Sequence, residues 1–126
     1  MAGESILIVD DNELNLRLVS FLLSARGYVT HTAINAEEAL KFLQSQKPHL
    51  ILMDIQLPGM DGLELTRKLK AEPEFKPIPI IAITAYAMKG DEAKALKAGC
   101  DGYISKPIDT RTLPDIIARY LHKVKT

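Results

Sequence analysis

The 126-residue chain has a length typical of one domain, and its 47% of apolar residues is enough for one hydrophobic core. Sixteen basic and sixteen acidic side chains leave no net charge, which argues against binding to nucleic acid or to an anionic membrane surface. The only cysteine, Cys100, excludes an internal disulfide and favours a reducing compartment, and no apolar segment approaches the ~18 residues of a spanning helix. These features predict one cytoplasmic domain over residues 1–126 that binds neither nucleic acid nor a membrane.

Five short apolar segments alternate along the chain with five longer segments of helical periodicity. The strand candidates, in chain order, are residues 5–10, 28–33, 50–53, 80–84 and 103–105. The first, third and fourth are continuous apolar segments, as in central strands of a parallel sheet that helices cover on both faces. The second contains the polar sequence Val-Thr-His-Thr-Ala, so we predict that it lies at an edge of the sheet.

Cap and turn residues mark the ends of these segments. Asn35 and Glu38 have the spacing of a capping box, Gly27 and Gly99 stand where left-handed C-caps are expected, and three prolines between residues 73 and 79 interrupt the chain before the fourth strand. Alternating strands and helices with right-handed crossovers predict an α/β fold with a doubly wound parallel sheet. Five strands favour the order 2-1-3-4-5, although this pattern alone leaves other orders open.

The first predicted helix carries apolar residues on two sides. One stripe contains Leu14, Leu18 and Phe21, and the other contains Leu16, Val19 and Leu23. One of these stripes packs on the sheet. The other either packs as well or is available to a partner protein.

Reactive side chains follow the predicted strands at their carboxyl ends, which meet at one edge of a parallel sheet. They are Asp10 and Asp11 after the first strand, Asp54 after the third, Thr84 at the end of the fourth, and Ser105 and Lys106 after the fifth. Three carboxylates in a partly desolvated pocket repel one another unless they are protonated or bridged by a cation. An all-oxygen site with few protein ligands suits Mg²⁺, whereas Ca²⁺ would require more ligands.

The same residues suit phosphoryl transfer. The carboxylate of Asp54 can act as a nucleophile and form an aspartyl phosphate. Lys106 and the metal would neutralise the developing charge, and Thr84 can donate a hydrogen bond to a phosphoryl oxygen.

Four motifs lie at the predicted strand ends. They are Ile-Leu-Ile-Val-Asp-Asp-Asn-Glu at 6–13, Leu-Ile-Leu-Met-Asp-Ile-Gln-Leu-Pro-Gly-Met-Asp-Gly at 50–62, Ile-Ala-Ile-Thr-Ala at 81–85 and Tyr-Ile-Ser-Lys-Pro at 103–107. As a set, they resemble the response-regulator receiver domain, a family with a flavodoxin-like (βα)5 fold. The segments 11–15, 53–58 and 87–92 look similar to the single-domain cell-cycle regulators of the DivK type.

The resemblance implies a metal site and a phosphoryl site. It implies that Asp11, Asp54 and the backbone carbonyl of Gln56 ligate Mg²⁺ directly, and that Asp10 acts through bound water. It also implies that Lys106 and Thr84 hold the phosphoryl group on Asp54.

The resemblance further implies a conformational switch. Thr84 would shift toward the phosphoryl group, and Tyr103 would turn inward behind it, which remodels the face formed by helix four, strand five and helix five. A tyrosine at the rim with its hydroxyl in water is the alternative for Tyr103. A cis bond between Lys106 and Pro107 would orient the lysine.

Partner recognition is also implied by the resemblance. Receiver domains present Asn12, Asn15 and Leu18, together with the loop at Pro107, to the helices of histidine phosphotransfer proteins. We therefore expect a response regulator that accepts a phosphoryl group on Asp54 from a histidine kinase or phosphotransferase and signals to a downstream regulatory protein. Such a protein catalyses only its own phosphotransfer and dephosphorylation.

There are three alternatives to this function. A receiver domain belonging to a hybrid histidine kinase would carry the same motifs. An aspartate-dependent phosphohydrolase would need a second carboxylate two residues after its nucleophile, where Asp54 is followed by Gln56 and Asp10 by Asn12. A flavin carrier would need a hydroxyl-rich phosphate loop after the first strand, where this chain is acidic.

Overall fold

The computed structural model of the protein describes residues 3–55, 62–84, 91–105 and 108–125. The strands are β1 (Ser5–Val9), β2 (Val29–Ala33), β3 (Leu50–Asp54), β4 (Ile80–Thr84) and β5 (Gly102–Ser105). The helices are α1 (Glu13–Ser24), α2 (Ala36–Ser45), α3 (Gly62–Lys70), α4 (Asp91–Ala98) and α5 (Leu113–Lys125). The predicted strand bounds agree with these ranges to within one residue at each end.

The five strands form one parallel sheet in the order β2-β1-β3-β4-β5, which confirms the predicted doubly wound topology. Strand β3 lies at the centre with all five residues buried, as its continuous apolar sequence predicts. Strand β2 lies at an edge, and Val29 and Thr32 are exposed there. The polar sequence of β2 was therefore a correct indicator of its position.

Helices cover both faces of the sheet, so the core is divided into two clusters. Helices α2, α3 and α4 pack on one face, and α1 and α5 pack on the other. In α1, the stripe of Leu16, Val19 and Leu23 is buried in the second cluster. Among the helices of the described ranges, none combines the length and apolar character that a membrane span requires.

The predicted helix caps are present in the structure. The Asn35 side chain accepts a hydrogen bond of 2.8 Å from the backbone N–H of Glu38, and the Glu38 carboxylate accepts one of 2.9 Å from the N–H of Ile34. In the standard capping box, the glutamate accepts from the N–H of the N-cap residue. Here Glu38 accepts instead from Ile34, the residue before the N-cap Asn35. Gly27 and Gly99 have φ values of 91° and 112°, so both adopt the left-handed conformation that glycine tolerates without strain.

A lysine ties together the amino end of β4, at the edge of the sheet opposite the acidic residues. The Lys70 ammonium donates to the backbone carbonyls of Lys76 at 3.0 Å and Ile78 at 2.8 Å, and to the Asp101 carboxylate at 3.0 Å. Asp101 also accepts from the N–H of Ile80 at 2.8 Å. The end of α3, the chain that leads into β4 and the residue before β5 are thereby joined by one cluster of hydrogen bonds.

Candidate functional site

Three carboxylates converge at the carboxyl edge of the sheet. Asp10 and Asp11 follow β1, Asp54 ends β3, and one carboxylate oxygen of each lies within 4.8 Å of the others. Asp10 and Asp54 are 1% and 2% exposed, whereas Asp11 is exposed to solvent. The structure thus brings together the three acidic residues predicted from the sequence, two of them buried and one exposed.

The pairing of the strands explains this convergence. Strands β1 and β3 are neighbours, and Val9 pairs with Met53, so the residues that follow each of them reach the same level of the sheet. On the other side of β3, Asp54 pairs with Ile83, and the N–H of Ile55 donates to the carbonyl of Ile83 at 3.0 Å. The backbone that carries Asp54 is therefore held by both neighbouring strands.

The electrostatics of the cluster favour a cation. At a separation of up to 4.8 Å, two unit charges repel each other by at least roughly 3.5 kcal/mol at an effective dielectric constant of about 20. Asp10 and Asp54 are both buried, so water screens this pair poorly. Carboxylate oxygens are hard ligands, and the exposed side of Asp11 leaves room for water, so the donor set fits a small divalent ion such as Mg²⁺.

The start of α1 orients the Asp10 carboxylate. One of its oxygens accepts the N–H of Asn12 at 2.9 Å, and the other accepts the side-chain amide of Asn15 at 3.4 Å. Asn12 is the N-cap of α1 and accepts the N–H groups of Leu14 at 2.9 Å and Asn15 at 3.2 Å. Asn15, predicted from the sequence only as a docking residue, therefore also contacts Asp10. Its place in the first turn of a helix that follows the strand end was the available signal.

The remaining predicted site residues are described only in part. Thr84 ends β4, and its backbone pairs with Ser105, so β4 and β5 reach the same edge as the three carboxylates. Tyr103 is half-buried and packs against the core cluster beneath α2, α3 and α4. The expectations for Gln56, Lys106 and Pro107, and for the side chain of Thr84, lie outside the described residues.

The apolar stripe of α1 that does not face the sheet is open to solvent. Leu14, Leu18 and Phe21 are 75%, 41% and 73% exposed. Of the two stripes in the sequence, one is therefore core, and the other forms an apolar surface that starts next to the acidic site. We refer to Leu14, Leu18 and Phe21 as the α1 stripe.

Comparisons with known proteins agree with the fold. The family described as the response regulator receiver domain matches residues 6–118. The chain is 49% identical to the polar-differentiation response regulator DivK of Brucella anthropi and 48% identical to that of Brucella ovis, over 94% of this chain and 96% of each relative. Because these relatives match over nearly their whole length, a response regulator is favoured over a receiver domain of a hybrid kinase.

Solved structures of receiver domains have the same fold as this chain. A CheY-like response regulator receiver domain protein from Methanospirillum hungatei has a TM-score of 0.90 at 33% identity, with 98% of each chain covered. The receiver domain of a sensor histidine kinase from Pseudomonas aeruginosa, solved with a magnesium ion coordinated in its active site cleft, has a TM-score of 0.87 at 35% identity, covering 96% of this chain and 99% of that chain. With its (βα)5 topology and acidic cluster, this chain belongs to the response regulator receiver domain family, whose members accept a phosphoryl group in two-component signalling.

Proposed function

We propose that Asp54 is the phosphoacceptor of this chain and that Mg²⁺, held beside it by Asp10 and Asp11, is required for its phosphorylation. The observation that supports this most directly is the meeting of three carboxylates within 4.8 Å at the end of the central strand. Asp54 stands on β3, the strand that is buried along its whole length, so its position is set by the sheet rather than by a loop.

The metal site is proposed from the donor set. Asp11 and Asp54 would ligate Mg²⁺ directly together with the backbone carbonyl of Gln56, and Asp10 would act through bound water. The bound ion would supply positive charge that offsets the carboxylate repulsion and the charge of the phosphoryl oxygens. The magnesium-bound receiver domain from Pseudomonas aeruginosa, 35% identical to this chain, supports the choice of metal.

The proposed reaction needs little covalent chemistry from the protein. A carboxylate oxygen of Asp54 attacks the phosphorus of a phosphohistidine, the new O–P bond forms as the P–N bond breaks, and the imidazole leaves with the bonding electron pair. Lys106 and Thr84 would hold two phosphoryl oxygens and so stabilise the charge that develops on them. Attack of water on the aspartyl phosphate would later return the carboxylate and release inorganic phosphate.

The donor would dock on α1. The α1 stripe is exposed and begins two residues after Asn12, whose backbone N–H donates to the Asp10 carboxylate. A histidine phosphotransfer helix could cover these apolar side chains while its histidine reaches Asp54. Asn12, Asn15, Leu18 and Pro107 are the proposed contacts with a histidine kinase or phosphotransferase.

Phosphorylation would be transmitted to a downstream regulatory protein through Thr84 and Tyr103. The two residues stand on adjacent strands, since β4 pairs with β5 and Ala82 is level with Tyr103. The half-buried Tyr103 ring already packs against the core, so a change in its position would alter the surface of β5 and the neighbouring helices.

Phosphorylation by acetyl phosphate with Mg²⁺ tests the assignment of Asp54. We expect the wild-type protein to gain the mass of one phosphoryl group, Asp54→Asn to gain none, and removal of Mg²⁺ with EDTA to prevent the reaction. Asp115→Asn, on the exposed side of α5, is the matched control and should be labelled like the wild type. Equal labelling of Asp54→Asn and the wild type would refute the assignment.

A further inference from the structure

We propose that Gly62, the first residue of α3, is a positioning residue for Asp54, and that the hydroxyl of Thr66 holds Gly62 in place. The absence of a side chain at Gly62 allows α3 to begin directly against the peptide group that joins Asp54 to Ile55. This inference rests on the proposed function, because it takes Asp54 as the phosphoacceptor beside a metal.

The contact between α3 and the end of β3 is too close for any side chain. A Cβ atom added at Gly62 would lie 2.6 Å from the Cα of Ile55, 2.9 Å from the carbonyl carbon of Asp54 and closer still to the Asp54 carbonyl oxygen. All three atoms belong to the backbone, so none can rotate away as a side chain can. Ordinary contact begins at 3.4 Å, so the two segments would have to separate by roughly 0.8 Å at the Ile55 Cα.

Space, not backbone conformation, requires glycine at this position. The glycines with positive φ in the described residues are Gly3, Gly27 and Gly99, and Gly62 is not among them. The residue is buried, and the close approach of α3 to the Asp54 peptide is therefore what requires glycine at position 62.

Hydrogen bonds fix this contact from both sides. The N–H of Gly62 donates to the carbonyl of Ile55 at 3.3 Å, while the N–H of Ile55 is bound to β4. The carbonyl of Gly62 accepts the hydroxyl of Thr66 at 2.7 Å, and Thr66 is fully buried. The thiol of Cys100 donates to the Thr66 hydroxyl at 3.8 Å, which ties the start of α3 to the chain before β5.

A displacement of this size is large for a metal site. Distances from ligand to metal are typically conserved to within about 0.2 Å, and groups that orient ligands commonly change metal affinity 10–100-fold when altered. A side chain at position 62 would push the Asp54 backbone away from α3. The Asp54 carboxylate would then be displaced from Asp10 and Asp11. One carboxylate oxygen of each of these three residues now lies within 4.8 Å of the others.

Gly62→Ala tests the proposal, with Gly99→Ala as the matched control. The control is also strained, because Gly99 has a φ of 112° and an added Cβ would lie 2.8 Å from Cγ of Lys70, at the edge of the sheet far from the carboxylates. Mg²⁺ affinity is measured by titration calorimetry on the folded fraction, which circular dichroism quantifies, and acetyl phosphate labelling is followed in parallel. We expect Gly62→Ala to weaken Mg²⁺ binding by about ten-fold or more. Gly99→Ala should lose stability yet bind Mg²⁺ like the wild type.

Folded Gly62→Ala with wild-type Mg²⁺ affinity would overturn the positioning role while leaving the proposed function intact, since the wild-type protein would still bind Mg²⁺ and accept the phosphoryl group. A wild-type protein that does neither would overturn both. If Gly62→Ala does not fold, Thr66→Val decides the question, because it keeps the side-chain shape and removes only the hydroxyl that holds Gly62. We expect a folded Thr66→Val protein with Mg²⁺ binding weakened several-fold, and unchanged affinity would overturn the proposal.

Discussion

The side-chain amide of Asn15 donates to the carboxylate of Asp10 at 3.4 Å, so the first turn of α1 contacts the acidic site directly. The same helix presents the α1 stripe to solvent. A residue in the first turn of α1 can therefore influence phosphorylation in two ways: by orienting a carboxylate of the metal site or by contacting the donor protein.

Asn15→Ala separates these two roles. Loss of the amide removes one hydrogen bond that orients the Asp10 carboxylate, so we expect weaker Mg²⁺ binding and slower labelling by acetyl phosphate, a donor too small to need the helix surface. Leu18→Ala, which stands on the exposed stripe, should leave labelling by acetyl phosphate unchanged. Labelling rates measured as a function of Mg²⁺ concentration distinguish the variants. A purely docking role for Asn15 would be indicated if its labelling by acetyl phosphate matched that of the wild type.

Polar substitutions in the α1 stripe should affect only protein donors. Phe21→Ser removes an aromatic side chain that is 73% exposed, so we expect its free energy of unfolding to change by no more than about 0.5 kcal/mol. Transfer from a cognate phosphotransferase should show a raised KM with little change in kcat, and labelling by acetyl phosphate should not change. Leu96→Ser, which removes an exposed leucine on α4, serves as the control. Equal KM values for the two variants would exclude the stripe as the docking surface.

The fold could be predicted from the sequence because it follows from the order of apolar, polar and helical segments along the chain. The continuous apolar sequence of residues 50–53 requires cover on both faces, and the polar sequence of β2 excludes it from the centre. Because the strands alternate with helices, few strand orders remain possible. The observed order β2-β1-β3-β4-β5 is the one that the sequence favoured.

The convergence of the carboxylates was also predictable, because strand ends meet at one edge whatever the side chains are. The contacts that support the Asp54 backbone were not predictable from the sequence. Gly62 follows Asp54 by eight residues and Thr66 follows Gly62 by four, yet nothing in their types indicates that α3 begins against the Asp54 peptide. The packing distance between a helix and a strand is set by the whole core and cannot be read from local sequence.

Removal of a carboxylate should stabilise the metal-free protein. Asp10 and Asp54 are buried, and a carboxylate oxygen of one lies within 4.8 Å of a carboxylate oxygen of the other. Asp54→Asn removes the repulsion between these two charges. In EDTA, we therefore expect the substitution to raise the free energy of unfolding by about 1 kcal/mol or more. Saturating Mg²⁺ should stabilise the wild type, since a ligand that binds only the folded state favours folding, but should not stabilise the variant. Urea denaturation with and without Mg²⁺ measures both effects. A variant less stable than the wild type in EDTA would show that the carboxylates do not repel one another appreciably.

Lys70 should contribute to stability without contributing to the site. Its mostly buried side chain donates to two backbone carbonyls and to the Asp101 carboxylate, so Lys70→Met removes three hydrogen bonds, one of them charge-assisted on both sides. We expect a loss of about 1–3 kcal/mol in the free energy of unfolding and unchanged Mg²⁺ affinity. Lys47→Met, which breaks an exposed pair with Glu74 at 3.7 Å, should change the stability by no more than about 0.5 kcal/mol. Comparable losses in both variants would contradict the importance of the Lys70 hydrogen bonds.

The buried thiol predicts how stability depends on alkaline pH. Burial raises the pKa of Cys100 above its ordinary value of 9.0, with a smaller opposing effect from its hydrogen bond to Thr66. A group whose pKa is higher in the folded state binds its proton more tightly there. Its contribution to stability is therefore complete below the unfolded pKa and is lost as the pH rises through the folded pKa.

Between pH 7 and pH 10.5, the free energy of unfolding should consequently fall more steeply for the wild type than for Cys100→Ala, which lacks the thiol. Urea denaturation at a series of pH values gives the difference between the two proteins, in which the titrations of lysines and tyrosines cancel. In the same pH range, the native thiol should react with Ellman's reagent far more slowly than the thiol of the urea-unfolded protein, because it is both buried and protonated. Parallel stability curves for the two proteins, or a native thiol that reacts as fast as the unfolded one, would contradict the raised pKa.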